Sequence, residues 1–193
     1  MKTLAAAFKE LIEFLERADI DYMVTGSIGS GFYGKPRATN DIDIVIDSTE
    51  NQLETFLKFI ENRFYVNPQT ARDALKNSSM FNIIDTQSGY KIDLVFLKKR
   101  NFSKEEFNRK NKVRLMNENV WVVSVEDSIL SKLEWSKGRQ SDLQFNDALG
   151  IVVLQWKILD LEYMKKWAKI LGIDETLKFL LDKASEFVNE DHA

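Results

Sequence analysis

Asp41, Asp43 and Asp93 are the residues whose type and spacing could do chemistry in this chain. From Asp41 to Asp47 the sequence alternates strictly, with Asp41, Asp43, Val45 and Asp47 on one parity and Ile42, Ile44 and Ile46 on the other. On a β-strand that alternation puts Asp41 and Asp43 on one face, ~7 Å apart at the Cα atoms. Two carboxylates that close repel unless a proton or a cation lies between them. A hard divalent cation such as Mg²⁺, which prefers oxygen ligands, resolves the conflict. Asp93 stands in Lys91-Ile92-Asp93-Leu94-Val95-Phe96, on the parity opposite Ile92, Leu94 and Phe96, where an acid needs a task or a partner. Upstream, Gly26-Ser27 ends a short strand and can offer backbone N–H groups and a hydroxyl to a phosphate. Two acids on one strand with a third on a neighbour make the ligand set of a two-metal site, in which ions ~3.5–4 Å apart stabilise an attacking and a leaving oxygen. Lys35, Arg37 and Lys132 are the candidate cations for a phosphate chain. Plainer roles exist for each: edge-strand acids, a common Gly-Ser turn, a surface ion pair for Arg37 and a solvated Lys132.

The elements that must position these residues follow from periodicity. Leu4, Ala7, Phe8, Leu11, Ile12, Leu15 and Ala18 predict an amphipathic helix over 3–19. Tyr22–Thr25 reads as a strand delivering the chain to Gly26-Ser27, a short helix follows, and Pro36 marks a turn before the acidic strand. Ser48 or Thr49 can cap a helix with Leu53, Phe56, Leu57, Ile60 and Phe64 on its core face. Asn67-Pro68 opens another helix to about Lys76. Met80–Thr86 and Tyr90–Leu97 form a hairpin about Gln87-Ser88-Gly89. Ser103-Lys104-Glu105-Glu106 reads as a capping box, and Lys112–Met116 with Val120–Val123 as a second hairpin around Asn117-Glu118-Asn119. Beyond Ser124 every segment is helical in pattern. One helix is capped by Ser124 and interrupted at Gly138, one opens at Ser141 or Asp142, one runs from Leu159 to Leu171 and stops at Gly172, and one covers Asp174–Val188. Trp121, Trp135, Trp156 and Trp167 read as core or helix-packing residues. The fold class is therefore α+β, a short mixed sheet with flanking helices over 1–123, followed by a C-terminal helical bundle over 124–193.

Composition removes the competing chemistries. The 193 residues contain no cysteine and a single histidine, His192, so thiolate sites, histidine clusters and Ser/His/Asp triads are excluded. No stretch approaches the ~20 apolar residues that span a bilayer, and no signal-type segment is present, so the cytoplasm is the expected location. The net charge of −3 is unevenly spread: between Lys98 and Arg114 lie eight basic residues against two acids. Such a patch attracts a polyanion, or serves as a solvated connector.

Gly26-Ser27, then Arg37-x-Thr39-x-Asp41-Ile42-Asp43, then a hydrophobic strand bearing Asp93, resembles the nucleotidyltransferase fold of the DNA polymerase beta superfamily. The likeness is greatest to small bacterial minimal nucleotidyltransferases and to abortive-infection toxin-like nucleotidyltransferases. Gly26 to Ile46, Met80 to Phe96 and Ser124 to Asp147 carry it, about half of the chain. The resemblance implies a Mg²⁺-dependent enzyme (two ions, with Mn²⁺ as an alternative) that moves a nucleoside monophosphate from a nucleoside triphosphate to a hydroxyl. Carried over, Asp41, Asp43 and Asp93 are catalytic and metal-binding, and Gly26, Ser27, Arg37, Thr39 and Lys132 bind nucleotide, with Asp142 and Asp147 loosely matching a pattern beyond Lys132. Where toxins of this kind tend to carry Gly-Gly, this chain has Gly-Ser. Acceptors in keeping with the resemblance are an RNA or tRNA end, a protein side chain or a small molecule, within a toxin–antitoxin or phage-defence setting and without a membrane. The alternative is an inactive nucleotide-binding or protein-interaction module of the same fold.

Overall fold

The computed structural model describes residues 2–35, 39, 41–139 and 142–190. It divides into two compact units: residues 1–28 with 38–122, and residues 29–37 with 123–193.

The first unit is built on a seven-stranded mixed sheet. Helix α1 (Leu4–Arg17), capped by the Thr3 hydroxyl, precedes β1 (Asp21–Thr25). The six-residue α2 (Gly26–Gly31) follows, and the boundary between the units falls within it. Strand β2 (Asp41–Asp47) leads to α3 (Glu50–Ile60), where Thr49 and Gln52 complete a capping box. Next come β3 (Phe64–Tyr65), α4 (Pro68–Asn77), β4 (Met80–Asp85), β5 (Lys91–Phe96), α5 (Asn101–Asn108), β6 (Asn111–Leu115) and β7 (Glu118–Val122). The strand order is β3-β4-β5-β2-β1-β7-β6. At its centre β2 and β5 run parallel, because the chain crosses over through α3, β3, α4 and β4 between them. The β1–β2 and β4–β5 pairs are antiparallel.

The alternation read in the sequence is realised as burial. Ile42, Ile44, Ile46, Ile92 and Leu94 are fully buried, as are Leu11 and Leu15 on α1 and Leu53, Phe56 and Ile60 on α3. Each such side chain contributes about 1.5–3 kcal/mol by leaving water. A one-residue slip of β2 would send three isoleucines out and both acids in, so the acid face is fixed by the apolar one.

Several boundaries differ from expectation. Phe64 continues the apolar period of α3, yet the helix ends at Ile60 and Phe64 pairs with Asp85 in β3, its ring 6.3 Å from that of Phe14. A spacing of four serves either outcome, and pairing at the sheet edge wins. Helix α5 begins at Asn101, ahead of the Ser103 box, and Ser103 Oγ accepts a hydrogen bond from Arg100 Nε at 2.8 Å. The second hairpin turns at Met116-Asn117, both at positive φ (50° and 70°), not around Asn117–Asn119.

The second unit is helical: α6 (Val125–Arg139), α7 (Asp142–Gln155), a 3₁₀ turn over Trp156–Ile158, α8 (Leu161–Leu171) and α9 (Asp174–Glu190). Helix α6 packs on α7 and α8, and α9 on α7 and α8. The Ser124 hydroxyl accepts from the Asp127 backbone N–H at 3.2 Å and donates to its carboxylate at 2.7 Å. Asp127 is fully buried and also accepts from the Tyr163 hydroxyl at 2.6 Å. Gly138 does not interrupt α6, which continues to Arg139 despite the ~1 kcal/mol that a glycine costs in a helix interior. Helix α8 starts at Leu161, two residues later than expected, where Asp160 supplies the cap. Trp167 is buried as expected, whereas Trp135 is 56 % exposed and is not a core residue. Tyr33 and Gly34 belong to this unit: Gln155 Nε2 donates to the Tyr33 carbonyl at 2.8 Å, and Gly34 lies against Ile151. Among the described residues, no helix is long and apolar enough to cross a membrane.

Candidate active site

The acids come together through sheet register. Asp43 on β2 is the direct partner of Asp93 on the parallel strand β5, at the ~4.8 Å spacing of neighbouring strands. Thr25 of β1 flanks Asp43 on one side, and Asn82 of β4 flanks Asp93 on the other. The row Thr25, Asp43, Asp93, Asn82 therefore crosses four strands on one face. One step along, Asp41 is paired with Lys91. Asp41 is exposed, while Asp43, Asp93 and Lys91 are half-buried.

Gly26 closes on this row from the end of β1. Its φ is +61°, and a Cβ built there would lie 2.0 Å from Asp43 Oδ2 and 2.6 Å from its Cγ. Glycine is required here: the left-handed backbone disfavours a side chain by about 1–2 kcal/mol, and the carboxylate occupies the space a methyl would need. The Gly-Ser junction and the acid pair are thus one packed unit, with Ser27 half-buried beside it. Thr39 stands at the entry to β2, where its hydroxyl accepts from the Asp41 N–H at 3.2 Å and contacts the Asp41 carbonyl at 3.3 Å. That bond orients the start of the acidic strand.

Lys91 was not singled out from sequence and is the principal addition. Its ammonium donates to Asp93 Oδ2 at 2.9 Å. Its pKa is raised above the ordinary lysine value chiefly by that hydrogen bond; burial opposes the rise, and attraction from Asp93, Asp41 and Asp43 adds to it. The signal was present, since Lys91 sits two residues before Asp93 and shares its parity. Asp93 Oδ1 is buried and accepts no hydrogen bond. Among the described residues, no three His, Cys, Asp or Glu side chains converge closely enough to hold a metal ion. The donor chemistry nevertheless fits a hard divalent cation: carboxylates on adjacent strands, an orphaned buried carboxylate oxygen and an ammonium already drawn among the acids.

Arg37 lies outside the described residues, as do Pro36 and Ser141. Lys35 is exposed, in the second unit. Lys132, on α6 of that unit, is almost entirely buried and is no solvated lysine: it donates to Asp147 at 2.9 Å and to Gln144 at 3.2 Å. Asp142 is exposed at the start of α7. In the basic segment, Lys110 is committed to Asp21 at 2.9 Å and lies 3.7 Å from the Phe107 ring centroid, while Lys112 and Arg114 are exposed on β6.

No protein-family model and no curated protein matches the sequence. Solved structures do match. An antigenic nucleotidyltransferase-like protein from Paracoccidioides brasiliensis aligns with a TM-score of 0.58 at 16 % identity, over 93 % of this chain and 92 % of that one. ANT(2″)-Ia in complex with adenylyl-2″-tobramycin aligns at 0.58 and 10 % identity, over 89 % and 98 %. The lincosamide antibiotic adenylyltransferase LnuA, lincomycin-bound, aligns at 0.51 and 14 % identity, over 74 % and 94 %. At such identities the likeness is one of backbone architecture, and it extends over most of each chain. The α+β core with its helical C-terminal bundle is therefore a fold that this chain shares with those nucleotidyltransferase-like and adenylyltransferase structures.

Proposed function

We propose that this protein is a divalent-cation-dependent nucleotidyltransferase that moves a nucleoside monophosphate from a nucleoside triphosphate onto a hydroxyl acceptor. The observation that carries the reading is the register of Asp43 beside Asp93, with the Gly26 backbone packed on the Asp43 carboxylate. Support also comes from the neighbours, one in complex with adenylyl-2″-tobramycin and another named an adenylyltransferase.

In this reading the acceptor oxygen attacks the α-phosphorus in line, and the bond from that phosphorus to the bridging oxygen of the pyrophosphate breaks. Asp41, Asp43 and Asp93 would hold Mg²⁺, which supplies charge neutralisation on the phosphates and a lowered pKa for the acceptor hydroxyl. Gly26 lets the backbone approach the triphosphate without a side chain in the way. Ser27 contributes its hydroxyl, and Thr39 keeps Asp41 at the strand entrance. Asp93, whose Oδ1 is buried, is a cation ligand in this reading, and the acceptor hydroxyl, its pKa lowered, gives its proton to water.

Asp43→Asn is expected to reduce transfer by roughly two orders of magnitude or more while the melting profile stays cooperative. The measurement is incorporation of α-labelled nucleotide into cell lysate with and without EDTA. Equal incorporation by wild type and variant removes the proposal. Fractionating the labelled material identifies the acceptor: a small molecule is favoured by the named neighbours, and RNA or protein is the outcome that would fit a toxin–antitoxin or phage-defence role. Nucleotide-dependent stabilisation without any transfer would make the chain a binding module.

A further inference from the structure

The row Thr25, Asp43, Asp93, Asn82 has two unlike ends. At the β1 end the Gly26 backbone closes on the Asp43 carboxylate. At the β4 end the same face of the sheet is open to solvent. Strand β4 alternates strictly, with Phe81, Ile83 and Asp85 buried and Met80, Asn82 and Ile84 exposed. The exposed three share the face of the acids: Asn82 is register partner to Asp93, Ile84 to Lys91 and Met80 to Val95. Tyr65 of β3, paired with Ile84, carries this face to the sheet edge. Met80, Ile84 and Tyr65 are 47, 37 and 67 % exposed, so three large apolar side chains and one amide stand in water at adjoining register positions. None of the four carries a charge.

We propose that Tyr65, Met80, Asn82 and Ile84 form the acceptor subsite, and that the acceptor is a small, uncharged molecule with an apolar body and a hydroxyl at one end. The proposal rests on the reading of Gly26-Ser27 and the acids as a nucleotidyl-transfer site. In-line displacement sets the attacking and leaving oxygens on opposite sides of the phosphorus. With the pyrophosphate held at Gly26-Ser27, at the β1 end of the row, the attacking hydroxyl comes from the other end, across Asp93 from β4. Neighbouring strands lie ~4.8 Å apart and residues two apart on a strand ~6.7 Å. Tyr65, two strands across and one such step along, is therefore about 12 Å from Asp93 at the Cα atoms. A drug-sized molecule spans that distance. Its apolar body covers Tyr65, Ile84 and Met80, while the Asn82 amide, both donor and acceptor, holds a polar group next to the reacting hydroxyl. A polycation finds no carboxylate among the four and meets the Lys91 ammonium at their border.

The test titrates the acceptor. The small-molecule fraction of cell lysate is passed through a cation exchanger and diluted serially into the full-length protein with α-labelled nucleoside triphosphate. Acceptor activity is expected in the flow-through. Tyr65→Ala and Ile84→Ser are each expected to raise the amount of flow-through giving half-maximal transfer by about tenfold, with half-saturation by the triphosphate unchanged. Arg114→Ala, on the opposite edge strand β6, is expected to behave as wild type. Met80→Ser replaces either variant that does not melt cooperatively. Wild-type half-saturation by acceptor in both variants, an equal rise for Arg114→Ala, or an acceptor that is retained by the exchanger or is RNA or protein overturns the subsite. Each of these leaves the nucleotidyltransferase reading standing. Absence of transfer by the wild type in every fraction overturns that reading, and the subsite with it.

Discussion

Gly26 shows how much of the candidate site hangs on one residue without a side chain. Its positive φ alone makes alanine unfavourable by about 1–2 kcal/mol, and the Asp43 carboxylate fills the space where Cβ would go. Gly26→Ala is therefore expected to destabilise the protein by about 2–3 kcal/mol and to displace Asp43. In an Asp43→Gly background the same change meets no carboxylate, and only the backbone cost remains. A double-mutant cycle by denaturant unfolding measures the difference; an uncoupled result would mean that Gly26 and Asp43 do not share the space. Gly-Ser and the acids are readable in sequence as separate signals. That the glycine exists to admit the carboxylate is visible only when β1 and β2 are laid side by side.

At the level of elements, alternation and capping were legible because they are local. The β2 and β5 patterns, the Asn67-Pro68 start of α4 and the Ser124 cap of α6 each depend on residues within one or two turns. The β6–β7 turn was misplaced because the first of its two central residues, Met116, carries no turn signal. Met116 occupies a left-handed position that favours glycine or asparagine, as in a two-residue type I′ turn. Met116→Asn should relieve about 1 kcal/mol of strain and raise the melting temperature by about 2–4 °C. A melt unchanged or lowered would show that the methionine side chain contributes packing that outweighs the strain. Phe64 failed for the opposite reason: its spacing suited a longer helix, and a distant strand, β4, claimed it.

At the scale of the molecule, the first unit is tied together by charges that are far apart in sequence. Arg63 forms a bidentate pair with Glu10 at 2.6 and 2.7 Å, and Lys2 reaches both Glu10 and the fully buried Asp85, the latter at 2.5 Å. Glu10 is held below its ordinary value of 4.5, first by the Arg63 hydrogen bond and then by Lys2. Burial pushes Asp85 upward, but Lys2 and the Gln87 and Ser88 N–H groups outweigh it and bring the carboxyl below 3.8. Both groups titrate lower folded than unfolded, so their stabilisation is complete above the ordinary values and is lost as pH falls through the depressed ones. The melting temperature should therefore drop as pH falls through and below the ordinary carboxyl values, and Arg63→Gln should flatten that drop. An identical acid profile for the variant would assign the loss to other carboxyls.

The sequence by itself determined the strand faces, the acid pair, the third acid and the helical character of the C-terminal residues, because each is written in periodicity and residue type over short spans. Only the tertiary structure decided that Asp93 lies beside Asp43, that Lys91 stands among the acids, that Lys132 is buried against Asp147, and that Tyr33 and Gly34 group with the C-terminal helices. Each of these is a pairing between residues remote in the chain, fixed by strand register and helix packing rather than by any local preference. Local patterns say which face a carboxylate is on. Register says what it faces.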